Sequence, residues 1–364
     1  MKKFDFLLVG AGLYNAVMAE RLTSTGYKVL IVEKRNTIGG NCASKDINGI
    51  DVHLYGPHVF HTSNKEVWDY INQFGEFRQF THKVLSKYGD KAYSFPINRK
   101  TIEEVHGDML NYYSDLKHGK DSGNLEDWCI EQIGLNFYEM FVKEYTEKQW
   151  GCSCSELPAS IIKRIPVRID YNDCYFDDYY QGIPVEGYHQ LFFNMMHNLT
   201  VHFNCDYLQN KDFFKADKVI YTGPVDAFFD YYYGKLEWRS LNFKIVQEHI
   251  RDFQGISVMH YPEKRYDYTR ITEFKHFNPF NQAFKKDFTV YAEEYPCKND
   301  EEPYYPIEDE FNIKKYEFYS VLAEGCKNVH FAGRLGTYKY NDMDVTVENA
   351  LSDFDKIIKG ELFK

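Results

Sequence analysis

Two glycines and one acid near the N-terminus have the types and the order needed to bind a dinucleotide. Gly10-Ala11-Gly12 follows the apolar run from Phe4 to Val9, and Glu33 ends the next apolar run. Gly10 permits a tight turn, and Gly12 lets the backbone approach a pyrophosphate, which is attracted by the free N–H groups at a helix N-terminus. An acid at the end of the second strand can accept hydrogen bonds from ribose hydroxyls. These residues predict a nucleotide cofactor and not a plain structural turn.

Three later features favour FAD over NAD as this cofactor. Gly39-Gly40-Asn41 follows Glu33 closely, as in flavoproteins of the glutathione-reductase type. A strand ending in Thr-Gly (VIYTGP) and a C-terminal strand-glycine-acid element (HFAGRLGTYKYNDMD) are also similar to those enzymes. A second Gly-x-Gly-x-x-Gly is absent from the sequence, which argues against a dedicated NADPH domain. Asn15 occupies the third fingerprint position, where we expect it to loosen the contact between helix and strand.

Composition excludes several function classes. The net charge of -11 argues against a nucleic-acid partner, and it means that an anionic substrate would need a local set of cations. The eight cysteines are scattered without a Cys-x-x-Cys pair, which favours free thiols in a reducing cytosol over a metal site or disulfides. The N-terminus is a poor signal peptide, and the sequence contains no apolar run long enough to span a bilayer. We therefore expect a cytoplasmic enzyme with no membrane partner and no metal.

The pattern of apolar residues predicts the elements that would position these groups. A strand over 4–9, a helix over 13–23 and a strand over 27–32 form a βαβ unit, so the sheet begins parallel. Further along the chain, the pattern predicts two or three helices over 100–149, strands within 201–222, antiparallel strands over 241–297, a strand over 329–332 and a helix over 344–359.

The fold class that follows is α/β, with a Rossmann-like FAD-binding domain of the glutathione-reductase type, an inserted helical lobe and an antiparallel β-sheet domain. The chain of 364 residues is too long for one efficient core. We expect a polar, aromatic loop near 165–180 to be a mobile lid. The predicted domains are the discontinuous FAD-binding domain at 1–80, 190–235 and 325–364, the helical substrate lobe at 98–150, and the sheet domain at 81–97, 151–189 and 236–324.

Eight runs of sequence are specific to one enzyme family. They are VEKRNTIGGN, YGPHVFHT, YTEKQWG, IIKRIPVR, YQGIPVEGY, IYTGPVD, EPYYPI and GRLGTYKYNDMD. Over nearly its whole length the chain resembles the bacterial UDP-galactopyranose mutases, which are FAD-dependent isomerases of cell-surface polysaccharide synthesis.

The resemblance implies a particular reaction. Reduced flavin attacks the anomeric carbon of UDP-galactopyranose through its N5 atom and displaces UDP. A flavin–sugar iminium then opens the ring, the sugar recloses as the furanose, and UDP recombines with it. This is nucleophilic catalysis by a cofactor that must be reduced, by NADPH or NADH, but is not consumed.

The resemblance also implies the catalytic residues. Arg164 and Arg270 match two family arginines placed against the UDP pyrophosphate, where guanidinium–phosphate contacts would keep the detached UDP near the flavin. Without the resemblance, Arg164 would belong to a solvated basic run and Arg270 would be a strand-face charge. His61 matches a histidine that faces the flavin. The predicted catalytic residues are therefore Arg164, Arg270 and His61.

Aromatic and imidazole side chains make up the rest of the implied substrate site. A pair spaced i, i+4 on a helix matches residues that sandwich uracil, although such a pair is more often part of a core. Three tyrosines match donors to the phosphates, while Tyr304 and Tyr338 nearby are expected to be packing residues. Beside the arginines, the predicted substrate-binding residues are the pair Phe141 and Tyr145, Trp150 at the pocket mouth, the tyrosines Tyr175, Tyr305 and Tyr340, and His82 and His260.

The implied cofactor site extends well beyond the fingerprint. The predicted FAD-binding residues are Gly10, Gly12, Leu13, Glu33, Lys34, Gly40, Asn41, His58, Val59, Arg239, Arg334, Asn341, Asp342, Met343, Asp344 and Val345. Glu294 matches an acid of the family pocket. The substrate is UDP-galactose or UDP-N-acetylgalactosamine, because His82, His260 and Pro57 depart from the family pattern near the sugar.

Two other functions stay open at this point. A flavin oxidase or monooxygenase could use the same fold, although it would have no need to grip a diphosphate. A non-catalytic FAD-binding scaffold would lack affinity for UDP. A homodimer is implied by the resemblance alone.

Overall fold

The computed structural model describes residues 3–116, 123–163, 166–298 and 302–363. Its strands are β1 (Phe4–Val9), β2 (Val29–Val32), β3 (Ser44–Ile47), β4 (Ile50–His53), β5 (Phe60–Thr62), β6 (Phe77–Gln79), β7 (Val84–Tyr88), β8 (Lys91–Phe95), β9 (Tyr180–Pro184), β10 (Thr200–His202), β11 (Ala216–Tyr221), β12 (Trp238–Glu248), β13 (Val258–His260), β14 (Arg270–Glu273), β15 (Thr289–Cys297), β16 (Tyr305–Pro306) and β17 (Val329–Phe331).

The helices connect these strands and cover the sheets. They are α1 (Leu13–Ser24), α2 (Lys65–Ile71), α3 (Arg99–His106), α4 (Met109–Asp115), α5 (Leu125–Phe137), α6 (Lys143–Trp150), α7 (Gly187–Met195), α8 (Val225–Phe228), α9 (Glu310–Glu324), α10 (Gly333–Thr337) and α11 (Met343–Ile358).

The first sheet is parallel and has the Rossmann-like form that the sequence predicts. Its strand order is β10-β2-β1-β11-β17, and each neighbouring pair is parallel. Helices α1, α7 and α11 pack on it through a core that includes Leu8, Ile31 and Ile220, all with 0% exposure. Strands buried this completely are typical of parallel sheets with both faces covered. The carboxyl ends of β1, β2 and β11 therefore meet at one edge, where ligands bind in such folds.

The second sheet has seven strands, in the order β16-β12-β15-β14-β13-β7-β8. Its neighbours are antiparallel, as predicted for 241–297, apart from the parallel pair of β13 with β7. The register places Arg270 of β14 opposite both His260 of β13 and Glu294 of β15. Three predicted site residues are thereby aligned across three adjacent strands.

The helical region of the chain contains more helices than the two or three predicted. The structure has α3, α4, α5 and α6 between residues 99 and 150. Gly107 has φ +83° and ends α3, and the Asp108 side chain accepts a hydrogen bond of 2.8 Å from the Asn111 N–H, which begins α4. A π-helical turn at Tyr138–Val142 separates α5 from α6. Apolar periodicity alone does not show these breaks, because they depend on backbone conformation at single residues.

The expectation that Asn15 loosens the first helix–strand contact is wrong. Asn15 has 0% exposure, and its side-chain amide donates to the carbonyl oxygens of Val9 at 2.9 Å and Gly10 at 2.8 Å. It also lies 3.3 Å from the hydroxyl of Thr222, which follows β11. The amide therefore binds the glycine turn to two strand ends and supplies by hydrogen bonding the close contact that a third glycine provides by its small size.

None of the helices in the described ranges combines the length and the apolar character that a bilayer-spanning segment needs. The eight cysteines are all free thiols.

The buried amide of Asn15 leads to a stability prediction. Asn15→Asp places a carboxylate, which has no donor, against the two carbonyl oxygens of Val9 and Gly10. We expect it to lower the free energy of unfolding by roughly 2–4 kcal/mol, more than Asn15→Ala, because an uncompensated charge costs more than a lost hydrogen bond. Urea unfolding of the flavin-free protein measures both changes. Equal stability of Asn15→Asp and the unchanged chain would contradict this assignment.

Candidate active site

A cavity of about 1000 Å³ lies where the carboxyl edge of the parallel sheet meets the seven-stranded sheet. One side is lined by the ends of β1, β2 and β11, and the other by residues of β7, β13 and β14. The volume is at the upper end of the range for small-molecule and cofactor pockets. The cavity brings together residues that are more than 250 positions apart in the chain, such as Gly10 and Arg270.

Glycines form a cradle at the sheet edge of the cavity. Gly10 has φ +97°, and the Gly39 N–H donates to the Ala11 carbonyl at 2.8 Å. Gly40 has φ +56°, and a Cβ atom built on it would lie 2.9 Å from the Cα atom of Gly12. Two backbone segments therefore touch without side chains between them at the N-terminus of α1. This cradle fits a pyrophosphate, because the N–H groups of the helix end stay accessible to an anion.

Glu33 stabilises the cradle in addition to lining the cavity. It is 6% exposed, and its two carboxylate oxygens accept hydrogen bonds of 2.7 Å from the N–H groups of Ala11 and Arg35. Contact of the same carboxylate with a ribose stays a prediction. Arg35 was not identified from the sequence; its guanidinium lies 4.4 Å from the ring centroid of Tyr55 and pairs with Glu302.

The C-terminal element lies on the same side of the cavity. Asp342 precedes α11, so a second helix N-terminus is directed to this region. Arg334 lies 4.5 Å from the ring centroid of Tyr340 and donates to the carbonyls of Tyr304 and Asn341, each at 3.1 Å. Other predicted cofactor residues that line the cavity are Leu13, Lys34, Asn41, His58, Val59 and Met343.

Three predicted cofactor residues lie outside the cavity lining. Arg239 is 5% exposed and donates to the Gln149 carbonyl at 2.8 Å. Asp344 and Val345 lie in the first turn of α11, beside residues that do line the cavity. Their contact with a cofactor stays a prediction.

The opposite wall carries an ion pair with a buried carboxylate and two neutral imidazoles. Arg270 Nε lies 2.6 Å from Glu294 Oε2, and the Glu294 side chain is 3% exposed. His82 and His260 line the cavity beside Arg270. Burial, reinforced by the positive charge of Arg270, lowers the pKa of each histidine to about 3, so both are neutral at physiological pH. Arg270 therefore supplies the permanent positive charge of this wall.

His82 has an unused hydrogen-bonding atom in this wall. Its Nδ1 is buried and has no hydrogen-bond partner among the described residues. The ring stacks on Phe176 at 5.6 Å and meets Tyr175 edge-on at 5.3 Å. An orphaned buried nitrogen is costly, so this atom fits contact with a polar ligand in the cavity.

His61 is oriented by two residues that the sequence did not reveal. Its Nδ1 lies 2.7 Å from Asp178 Oδ2, and its ring stacks on Phe176 with the centroids 3.6 Å apart. A carboxylate can only accept, so the proton of His61 is held on Nδ1. Spacing could not have indicated this pairing, because the partners are over 110 positions apart in the chain and meet through the pairing of β5 with β9.

The predicted tyrosines also lie around the cavity. Tyr175, Tyr305 and Tyr340 line it, and the rings of Tyr305 and Tyr340 stack at 5.6 Å. Burial raises the pKa of Tyr305 to about 12, so its hydroxyl remains a donor at neutral pH. Tyr338 is a packing residue, as predicted, since its hydroxyl lies 2.7 Å from the carbonyl oxygen of Glu237 and 2.9 Å from that of Ile307. Tyr304 packs as predicted, yet it also lines the cavity, and its buried hydroxyl has no partner among the described residues.

The aromatic pair on the helix is divided between two environments. Phe141 lies in the π-helical turn, is 4% exposed and packs against the rings of Tyr93 and Phe137. Tyr145 lies in α6, with its ring 5.1 Å from that of His260. A π-helical turn changes the angular phase of a helix, so these two residues do not follow a simple i, i+4 relation. That Phe141 and Tyr145 sandwich the uracil ring stays a prediction.

The last two predicted substrate-site residues are Trp150 and Arg164. Trp150 ends α6 and is partly buried against the core of the second sheet. Arg164 lies outside the described residues.

The described part of the predicted lid, 166–180, lies over the cavity. Arg168 donates to the Cys174 carbonyl at 2.6 Å and pairs with Asp177, and the Tyr175 N–H donates to the His82 carbonyl at 2.7 Å. The segment thus contributes Tyr175 and Phe176 to the cavity wall. Its mobility stays a prediction.

The glycine cradle and the arginine wall in one cavity define a dinucleotide-dependent enzyme that acts on an anionic ligand. A family model described as UDP-galactopyranose mutase matches residues 140–340, and one described as an NAD(P)-binding Rossmann-like domain matches residues 8–74.

Named proteins that are similar to this chain support its assignment to this class of enzyme. A probable UDP-galactopyranose mutase of Klebsiella pneumoniae is 38% identical, with 99% of this chain and 96% of the relative covered. A dTDP-fucopyranose mutase of Escherichia coli is 34% identical, with 97% and 98% covered. The crystal structure of a reduced UDP-galactopyranose mutase superposes with a TM-score of 0.77 at 15% identity, with 99% and 94% covered, which shows the shared fold.

This chain belongs to the UDP-galactopyranose mutase family, and it is an isomerase. The family and the flavoenzyme-type fold imply a flavin cofactor.

The cradle leads to a prediction about flavin retention. Gly40→Ala adds a Cβ atom 2.9 Å from the Gly12 backbone and also strains the backbone at φ +56°. We expect the purified variant to be colourless, because the cradle must open where the pyrophosphate would bind. Flavin absorbance per protein measures the result.

Gly89→Ala is the matched control for this variant. Gly89 has φ +61°, so Gly89→Ala carries the same backbone strain, of about 1 kcal/mol, but no atom of the described residues lies within 4 Å of an added Cβ. We expect Gly89→Ala to keep its flavin. Full flavin content in Gly40→Ala would show that the cradle does not bind the cofactor.

Proposed function

We propose that this protein interconverts UDP-galactopyranose and UDP-galactofuranose with FAD bound in the glycine cradle. The observation that carries the proposal is the continuity of one cavity, in which the cradle and the wall of Arg270 both take part. A cavity of about 1000 Å³ has room for a flavin edge next to a nucleotide sugar. The named relatives support a sugar-ring isomerisation as the reaction.

The residues present fit FAD. The approach of Gly12 and Gly40 leaves a space that a Cβ atom would fill, and Glu33 and Lys34 line the path that continues from it. Bound and reduced, the flavin would supply the nucleophile for the anomeric carbon of the sugar. NADPH or NADH is the proposed reductant. Four further residues of the cavity lining are the proposed neighbours of the flavin: His58, His61, Arg334 and Asp342.

The chain itself would hold the nucleotide while its bond to the sugar is broken. Arg270 is fixed by Glu294 at 2.6 Å, so its guanidinium is oriented before the ligand arrives. A pre-oriented cation stabilises a pyrophosphate leaving group without reorganisation cost at the moment of reaction. Tyr305 and Tyr340 would donate hydroxyl hydrogen bonds to the same phosphates, and Arg164 is proposed to act with Arg270.

Neutral imidazoles would contact the sugar. His82 and His260 carry no charge at physiological pH, so they can donate and accept hydrogen bonds with hydroxyl groups without attracting further anions. Both galactose and N-acetylgalactosamine forms are proposed substrates. The relative named dTDP-fucopyranose mutase makes a dTDP-linked 6-deoxy sugar a second candidate.

Three further features belong to the proposal. The segment 166–180 would open to admit the nucleotide sugar and close to exclude water from the reacting sugar. A homodimer is proposed from the family resemblance, and a cytoplasmic location is proposed from the scattered cysteines.

The direct test is chromatography of the products. Dithionite-reduced protein is given UDP-galactose, UDP-N-acetylgalactosamine or dTDP-fucose in separate reactions, with the oxidised protein as reference. We expect a furanose product from UDP-galactose with the reduced protein alone, because the nucleophile exists only in the reduced state. Peroxide or a consumed equivalent of NADPH in place of the furanose would identify an oxidase, and binding of flavin without binding of UDP would identify a scaffold.

The Arg270→Ala variant, which removes the cation of the cavity wall, tests the proposed binding site for the nucleotide sugar. We expect Arg270→Ala to lower kcat/KM for the nucleotide sugar by about a hundredfold or more, because the leaving pyrophosphate loses its oriented partner and Glu294 is left buried without one. Flavin content should be unchanged. Arg265→Ala is the control, since Arg265 is an exposed arginine of the preceding loop, paired with Glu263. Comparable rates for the two variants would refute the role of Arg270.

A further inference from the structure

The side chain of Lys148, in the last turn of α6, ends in a ring of carbonyl oxygens. Its Nζ lies 2.6 Å from the oxygen of Tyr261, 3.1 Å from Glu263, 3.1 Å from Tyr266 and 2.9 Å from Tyr268. An ammonium has three N–H donors, so all of them are used within this ring. The four acceptors belong to one loop, which joins β13 to β14.

The same face of α6 makes two other contacts with this loop. Glu144 accepts a hydrogen bond of 2.6 Å from the N–H of Lys264, and Glu147 pairs with the Lys264 ammonium at 2.8 Å. Residues 144, 147 and 148 have the i, i+3, i+4 spacing that places side chains on one helix face. The Lys264 ammonium of the pair with Glu147 is exposed, so this pair contributes little. Lys148 is therefore the main connection, since it holds four backbone groups at once.

The loop matters because of the residues at its two ends. His260 precedes it and Arg270 follows it, and the loop is closed by a hydrogen bond of 2.8 Å from the Tyr261 N–H to the Thr269 carbonyl. Helix α6 carries Tyr145, whose ring lies 5.1 Å from that of His260. Side chains on two separate elements thus meet at His260, which lines the cavity together with Arg270, and Lys148 is the main contact that joins those elements.

Electrostatics explains why a lysine suits this position. Four carbonyl dipoles directed at one point create a negative potential that only a cation compensates. A compact ammonium can satisfy oxygens arranged around it, whereas a planar guanidinium cannot. Backbone carbonyls arranged in this way also bind a potassium ion, which has no directional preference. The loop is therefore built around a monovalent positive charge.

We infer that Lys148 is a positioning residue for nucleotide-sugar binding: its ammonium fixes the loop 261–268 and so aligns His260 and Arg270 with Tyr145. The inference rests on the proposed function for its effect on the substrate. Its effect on the loop is independent of that function.

The test uses the flavin-loaded Lys148→Ala variant with UDP-galactose. We expect KM to rise about tenfold while flavin content stays unchanged and kcat falls less, because misplacement of binding groups weakens the complex. Added potassium or ammonium ions should restore KM by entering the empty carbonyl ring. Choline chloride at the same ionic strength should not restore it, since choline is too large.

Two further variants serve as controls. Lys148→Met keeps the bulk of the side chain but not the charge, so its KM should be raised and should not respond to potassium. Lys264→Met removes the exposed pair with Glu147 and should leave KM within about twofold of the unchanged chain. If Lys148→Ala does not fold, the raised KM of Lys148→Met carries the test alone.

Hydrogen exchange separates this inference from the proposed function. Amides of residues 261–269 should exchange faster in Lys148→Ala and recover with potassium, whether or not UDP-galactose is a substrate. An unchanged KM in Lys148→Ala, or a raised KM with loop exchange that potassium does not slow, would overturn the inference. If the unchanged chain shows no turnover while the loop exchange of Lys148→Ala still responds to potassium, only the proposed function is overturned.

Discussion

The negative net charge of the chain is the constraint that governs how its cavity can bind anionic ligands. A chain with a net charge of -11 has to attract phosphate-bearing ligands into one cavity. Long-range attraction is not available to it, so binding relies on short-range, fixed donors. Backbone N–H groups at two helix ends that reach the cavity would provide part of the attraction without any ionisable side chain. Arg270 provides a permanent cation, and Glu294 orients it at the cost of neutralising part of its charge.

Neutral polar groups complete the arrangement. His58, His82 and His260 each have a pKa lowered to about 3, with burial as the largest cause. Charging them would require desolvated ions close to Arg270, which is unfavourable. The cavity thus combines a few oriented charges with many uncharged hydrogen-bonding groups. Such a cavity discriminates between ligands by the geometry of their hydrogen-bonding groups more than by their total charge.

Carbonyl oxygens hold lysine ammonium groups in two loop regions next to the second sheet. Lys148 meets four carbonyls, and Lys275, which is 3% exposed, donates to the carbonyls of Arg251, Lys286 and Phe288. A lysine of this kind provides donors for carbonyl groups of loops, which have no partners in strand pairing. These two loop regions are in this way held by side chains rather than by hydrogen bonds between strands.

The amino-acid sequence by itself determined the glycine turn, the βαβ unit and the antiparallel strands, because these depend on local apolar periodicity and on single glycines. Gly10 and Glu33 could be proposed from the dinucleotide motif for the same reason, whereas Arg270 could be proposed only from the family resemblance. Only the tertiary structure decided that Asn15 tightens the turn, that Asp178 orients His61 and that Lys148 holds the loop at 261–268. These contacts join distant segments, and their energy depends on burial and on partner positions that spacing along the chain does not encode.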